Sequence, residues 1–152
     1  GAMGGLSDLQ RNILMLSWCG DRSSFHPAMR AALVVFSDDE RIQSWRQKRN
    51  GHKPGLLQAF IAVSLAEVSM PEMCRKCQGT GTVAASDCPR CEGSGRKAMP
   101  QREKVAIASN YVRMSQPTWS RYTREYDYGY VYQKIKDAHD DGLRRIKRQL
   151  VA

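Results

Sequence analysis

Cys74-Arg-Lys-Cys77-Gln-Gly79-Thr-Gly81 and Cys88-Pro-Arg-Cys91-Glu-Gly93-Ser-Gly95 are one pattern written twice, with ten residues between the two Cys-x-x-Cys pairs. Four thiolates at this spacing suit one tetrahedral Zn²⁺, which takes soft ligands and imposes no geometry of its own. With every position filled by sulfur the site is closed, so the expected ion is a single structural zinc and not a catalytic one. The glycines belong to the same device. After each Cys-x-x-Cys turn the chain must reverse past its own ligands, and residues without Cβ take φ > 0 at low cost. A disulfide pairing would need an oxidising compartment, and nothing points to secretion. A redox Cys-x-x-Cys sits alone after a strand, not in tandem with glycine turns.

Around this unit the chain reads as mainly α. Its 152 residues suit one domain carrying a small insertion. Gly1-Ala2-Met3 reads as a tag remnant. Residues 4–72 are expected to form a helical bundle, 73–98 the zinc-finger insertion, and 99–152 a helix-turn-helix with a C-terminal helix packed on the bundle. No apolar run reaches the roughly 20 residues of a membrane span, and no signal peptide is visible, which predicts a soluble, cytosolic protein.

Within the bundle, Ser7 reads as the N-cap of a helix through Leu9, Ile13 and Leu16. Cys19 has no partner and is expected as a half-buried free thiol. A second helix is predicted from near Pro27 through Met29, Leu33, Val34 and Phe36. Ser37-Asp-Asp-Glu40 has the capping-box form, and the helix it opens would bury Ile42 and Trp45. That helix would end in Arg46-Gln-Lys-Arg49 before Asn50-Gly51, a basic run that suits either a solvated helix end or, with Lys53, phosphate contacts. Leu56 to Met70 is apolar nearly all round, the signature of a central helix, and Pro71 would end it. His26 and His52 fall singly in expected loops.

The net charge of +9 is unevenly spread: 8 basic against 7 acidic side chains through Met73, then 16 against 8 from Cys74 onward. A basic half suits a polyanionic partner, although it also suits a merely soluble surface. In that half, Val105 to Arg124 carries the pattern of a helix-turn-helix. Ala108 and Val112 would supply the first helix's contacts, Ser109 the small crossing residue and Met114 the plug of the turn. Trp119 and Tyr122 would line the inner face of the second helix. Ser115 or Gln116 would cap that helix, with Pro117 in its first turn. Gln116, Thr118, Ser120, Arg121 and Arg124 then point outward, side-chain types that pair with base edges and phosphates of duplex DNA. Arg113 stands in the turn, where many such motifs have glycine, and joins the DNA-binding candidates. Arg75, Lys76, Arg90, Arg96 and Lys97, around the cysteines, are candidate phosphate contacts. The same pattern also suits two amphipathic helices packed for stability.

Tyr126, Tyr130 and Val131 are expected to face the core, with Tyr128 and Tyr132 at a groove or partner surface. A terminal helix is predicted from Lys134 to Leu150, with Arg144, Arg145, Lys147 and Arg148 on a basic face.

Taken in order, the tandem Cys-x-x-Cys-x-Gly-x-Gly units, Arg96-Lys-Ala-Met99-Pro100 and Gln116-Pro-Thr-Trp-Ser-Arg121 resemble the zinc-containing Q antitermination proteins of lambdoid bacteriophages. The similarity runs from Cys74 to about Tyr126 and is faint before Leu56. The cysteine repeat also resembles the zinc region of DnaJ-type chaperones, which carry four repeats and two zincs. The first resemblance implies a transcription regulator and not an enzyme. Such a protein binds double-stranded DNA at the phage late promoter, loads onto paused bacterial RNA polymerase holoenzyme in the host cytoplasm, and makes it ignore terminators. On it, Cys74, Cys77, Cys88 and Cys91 match the metal ligands and Gln116 to Arg121 the second helix of the DNA-binding motif. The alternative is a zinc-stabilised DNA- or RNA-binding regulator without antitermination activity. An enzyme finds no support in paired carboxylates with a histidine or in a phosphate loop.

Overall fold

From Leu56 to Ser69 the chain offers water almost no polar side chain, so this helix has to lie inside. The computed structural model describes residues 4–47, 55–69 and 74–151. Seven α-helices follow one another among them: α1 Asp8–Cys19, α2 Phe25–Ser37, α3 Glu40–Gln47, α4 Leu56–Ser69, α5 Gln101–Ala108, α6 Gln116–Glu125 and α7 Tyr128–Val151. A short antiparallel hairpin, β1 Thr82–Val83 and β2 Ser86–Asp87, lies between α4 and α5, with Thr82 opposite Asp87 and Val83 opposite Ser86. The expectations for Lys48 to Gly51, His52, Lys53 and Pro71 lie outside the described residues.

Helix α4 is the axle. Twelve of its 14 residues are buried, and α1, α2, α5 and α7 all pack on it. Its start approaches the segment after α5 so closely that a Cβ on Gly55 (φ +88°) would stand 2.1 Å from the Tyr111 carbonyl oxygen. Glycine is required there by both conformation and space. Helix α1 packs on α7 where Gly142 lies against Leu14 and Gln10. Ser7 caps α1 in a full capping box with Gln10.

Several local expectations are corrected. Asp39, not Ser37, caps α3: its carboxylate accepts from the Ile42 N–H at 3.1 Å, while Ser37 closes α2 and bonds back to the Val34 carbonyl. A carboxylate one residue before the helix competes better for that N–H than a hydroxyl three residues before it. Helix α2 begins at Phe25 and includes His26, and Val34 faces solvent at 69 % exposure because Ala28, Ala32 and Phe36 take the inner stripe. Cys19 is exposed, not half-buried. The terminal helix is one continuous α7 of 24 residues starting at Tyr128.

The aromatic side chains decide how the second half sits on the first. Phe60 of α4 meets Trp119 of α6 and Tyr128 of α7 edge-on, at centroid distances of 5.6 and 5.3 Å. Trp45 of α3 packs on Phe60 and on Tyr126. Tyr128 therefore belongs to the core and not to a groove, and its hydroxyl donates to Glu67, which Lys104 also meets at 3.4 Å. Tyr126 and Val131 are buried as expected. Tyr130 is only half-buried, donating to Asp39 at 2.5 Å with Arg41 over its ring.

Candidate metal centre and nucleic-acid interface

The four expected cysteines converge. The sulfurs of Cys74, Cys77, Cys88 and Cys91 lie within 4.8 Å of one another, and those of Cys77 and Cys91 are 3.6 Å apart. That separation is far beyond a disulfide's roughly 2 Å. It is close to the ~3.8 Å edge of a tetrahedron built on metal–sulfur bonds of about 2.3 Å. All four are buried or nearly so, and the donor set fits one metal ion.

The sequence repeat is also a geometric repeat. Gly81 N–H donates to the Cys77 sulfur and Gly95 N–H to the Cys91 sulfur, both at 3.3 Å. Each repeat then closes on the other: Cys74 N–H donates to the Gly95 carbonyl at 3.0 Å and Cys88 N–H to the Gly81 carbonyl at 2.9 Å. The second glycine of each repeat is pressed on the first glycine of its mate. A Cβ on Gly81 would be 2.5 Å from the Gly93 oxygen, and one on Gly95 2.6 Å from the Gly79 oxygen. The matching φ values, 86° and 85° at Gly79 and Gly93, 78° and 73° at Gly81 and Gly95, describe a pseudo-two-fold pair of knuckles.

The surrounding N–H groups favour thiolates. The Cys77 N–H lowers the Cys74 thiol pKa below its ordinary value. At Cys91 burial works the other way, but the Gly95 N–H and the neighbouring sulfurs outweigh it and bring the thiol down to about 6. Burial pushes Cys77 up. A metal ion, which binds thiolate and not thiol, would resolve this imbalance.

Helix α6 has the two-sided character the sequence predicts. Trp119 and Tyr122 are buried, while Gln116, Arg121 and Arg124 are exposed and Thr118 and Ser120 half-exposed. Ser115 caps it, accepting from the Thr118 N–H at 3.3 Å, and Pro117 lies in its first turn. Arg121 lies over the Tyr122 ring at 5.2 Å, and Arg124 donates back to the Ser120 carbonyl. Arg113 is exposed in the linker. That linker is the departure. Helix α5 stops at Ala108 and α6 starts at Gln116, so seven residues separate them where a helix-turn-helix uses three or four. Ser109 is not a buried crossing residue: it caps α5, exposed, with its hydroxyl on the Val105 carbonyl. Ala108 is the small buried residue, and Val112 and Met114 pack on the core from the linker.

Arg75, Lys76, Arg90, Arg96 and Lys97 are all exposed on or beside the four-cysteine unit. Arg90, Arg96 and Lys97 line a cleft of about 610 Å³ between that unit and the bundle, facing Glu67, Glu103 and Lys136. Sequence reading missed Gln101, whose side-chain amide donates to the Ser120 hydroxyl and ties the start of α5 to the outer face of α6. No local signal announces a bond between residues 19 positions apart. It also missed Glu67, half-buried at the cleft between Tyr128 and Lys104, and His139, buried in α7 beside Asp140 at 3.0 Å.

No helix among the described residues is long and apolar enough to cross a membrane. Comparison of the sequence with protein-family models and with curated proteins finds no match.

Proposed function

We propose that this chain is a zinc-stabilised, double-stranded-DNA-binding transcription regulator that acts in antitermination. The observation that carries the reading is helix α6: one face is locked into the aromatic core through Trp119 and Tyr122, and the other offers Gln116, Arg121 and Arg124 to solvent. A helix fixed on its inner side and polar on its outer side is suited to present Gln and Arg to adenine and guanine edges. The exposed cations of the four-cysteine unit would take phosphates and fix register, carrying no sequence information themselves.

In this reading Cys74, Cys77, Cys88 and Cys91 hold one structural Zn²⁺, whose four sulfur ligands leave no position open for chemistry. The protein is a binder and not an enzyme. Its partners are duplex DNA at a phage late promoter and bacterial RNA polymerase holoenzyme in the host cytoplasm, as the resemblance to Q antitermination proteins implies. Transcription through a terminator by purified bacterial polymerase tests this directly. Readthrough should rise on templates carrying a phage late-promoter region and not on templates lacking it.

The seven-residue linker, longer than a helix-turn-helix uses, loosens the match to that DNA-binding motif and keeps a second reading in view, a zinc-stabilised DNA- or RNA-binding regulator without antitermination activity. Equal readthrough on both templates, with salt-sensitive binding retained, selects it. Gel shifts on duplex DNA and single-stranded RNA then identify the nucleic acid.

A further inference from the structure

Two groups of cations are placed on either side of α5. Arg121 and Arg124 lie on α6, while Arg90 and Arg96 line the cleft beside the four-cysteine unit. Residues on an α-helix follow one another by about 100°. The first turn of α5 can therefore be read as a compass. Gln101 points at α6, because its amide donates to Ser120. Glu103 points into the cleft. Lys104 points inward to Glu67. Arg102, between Gln101 and Glu103, is left on the solvent side, exposed and with no ion-pair partner among the described residues.

We propose that Arg102 is a phosphate contact that joins the cations of the four-cysteine unit to those of α6 in one continuous nucleic-acid track. A polyanion touching both groups has to cross the first turn of α5, and Arg102 is the cation standing at that crossing. Glu103, one residue on, is exposed toward the cleft, where Glu67 and Glu92 also stand among the cations, so on the solvent side of this turn Arg102 supplies the positive charge. Arg102 lies outside both sequence motifs and carries no signal in the sequence. This inference rests on the DNA-binding reading of α6.

Random-sequence duplex DNA, followed by fluorescence anisotropy from about 50 to 200 mM salt, supplies the test, since each phosphate contact contributes about 0.9 to the slope of log affinity against log salt. Arg102→Ala should weaken binding and lower that slope by about 0.9, Arg102→Lys should restore it, and all variants should keep the wild-type melting temperature. Arg148→Ala, which removes an exposed cation from the far end of α7, should change neither quantity. An Arg102→Ala slope equal to wild type while Arg121→Ala weakens binding overturns the inference and leaves the DNA reading standing. Equal losses in Arg102→Ala and Arg148→Ala overturn it too, because net charge alone is then at work. Absence of wild-type binding at the lowest salt removes the DNA reading, and the inference with it.

Discussion

Asp39 shows how much one side chain can carry. Its carboxylate caps α3, accepts the Tyr130 hydroxyl and meets Lys134 at 3.2 Å, so it links α3 to α7. Burial alone would raise its pKa, but the Tyr130 O–H, the Ile42 N–H and Lys134 outweigh that and hold it below the ordinary carboxylate value. A depressed folded-state pKa gives stability that is complete above the unfolded value of about 4 and is lost as pH falls through the folded one. Asp39→Asn should therefore unfold at lower urea than wild type at neutral pH, with the gap narrowing below about pH 4. A gap that stays constant to pH 2 would show that the charge of Asp39 contributes nothing to it. Gly81 and Gly95 make the complementary case, in which an added atom does the damage. Alanine at either would take a left-handed φ and drive Cβ into a facing glycine's carbonyl. Each substitution should cost more than about 1 kcal/mol and lower metal content per chain, read by elemental analysis.

Among the elements, α6 is held by a cap at its start and two rings on its inner side. Ser115→Ala should cost about 1 kcal/mol, the usual loss for an N-cap hydroxyl, measured by urea unfolding. Phe60→Ala should cost about 3–5 kcal/mol, because its ring is fully buried and meets Trp45, Trp119 and Tyr128 from three other helices. Both elements were legible in advance for different reasons. The apolar breadth of Leu56 to Ser69 leaves α4 nowhere to go but inward. Ser115-Gln-Pro117 announces a helix start whatever lies around it. What could not be read was set by packing between distant segments. Tyr128 and Tyr130 are two residues apart and chemically alike, yet Glu67 and Phe60 take one inside while Asp39 and Arg41 hold the other at the edge. The long α5–α6 linker was hidden likewise, since Val112 looks helical in sequence, whereas it and Met114 are apolar because they cover the core from the linker.

At the scale of the whole molecule, the bundle and the four-cysteine unit have cores of unlike kind. The bundle core draws side chains from helices both before and after the four-cysteine unit, from Ile13 through Phe60 to Ile135. The unit's own cluster consists of the cysteines and Val83. So small a group cannot bury enough apolar surface to order about 20 residues, and the free energy that holds it has to come from the metal. Stability should then divide along this line. Chelator at neutral pH should abolish hydrogen-exchange protection at Cys74, Gly81, Cys88 and Gly95, whose N–H groups bind the opposite knuckle or the sulfurs. Amides of α4 should keep theirs, and far-UV ellipticity should change little. Acid should act in the same direction, because protons compete with the ion for four thiolates. Cooperative loss of the α4 amides with the metal would instead mean that the knuckles brace the bundle as well as themselves. Duplex binding measured in the same chelator series would separate the two roles further: loss of affinity while the amides of both α4 and α6 keep their protection places the contribution of the metal in presenting the cations, not in folding α6.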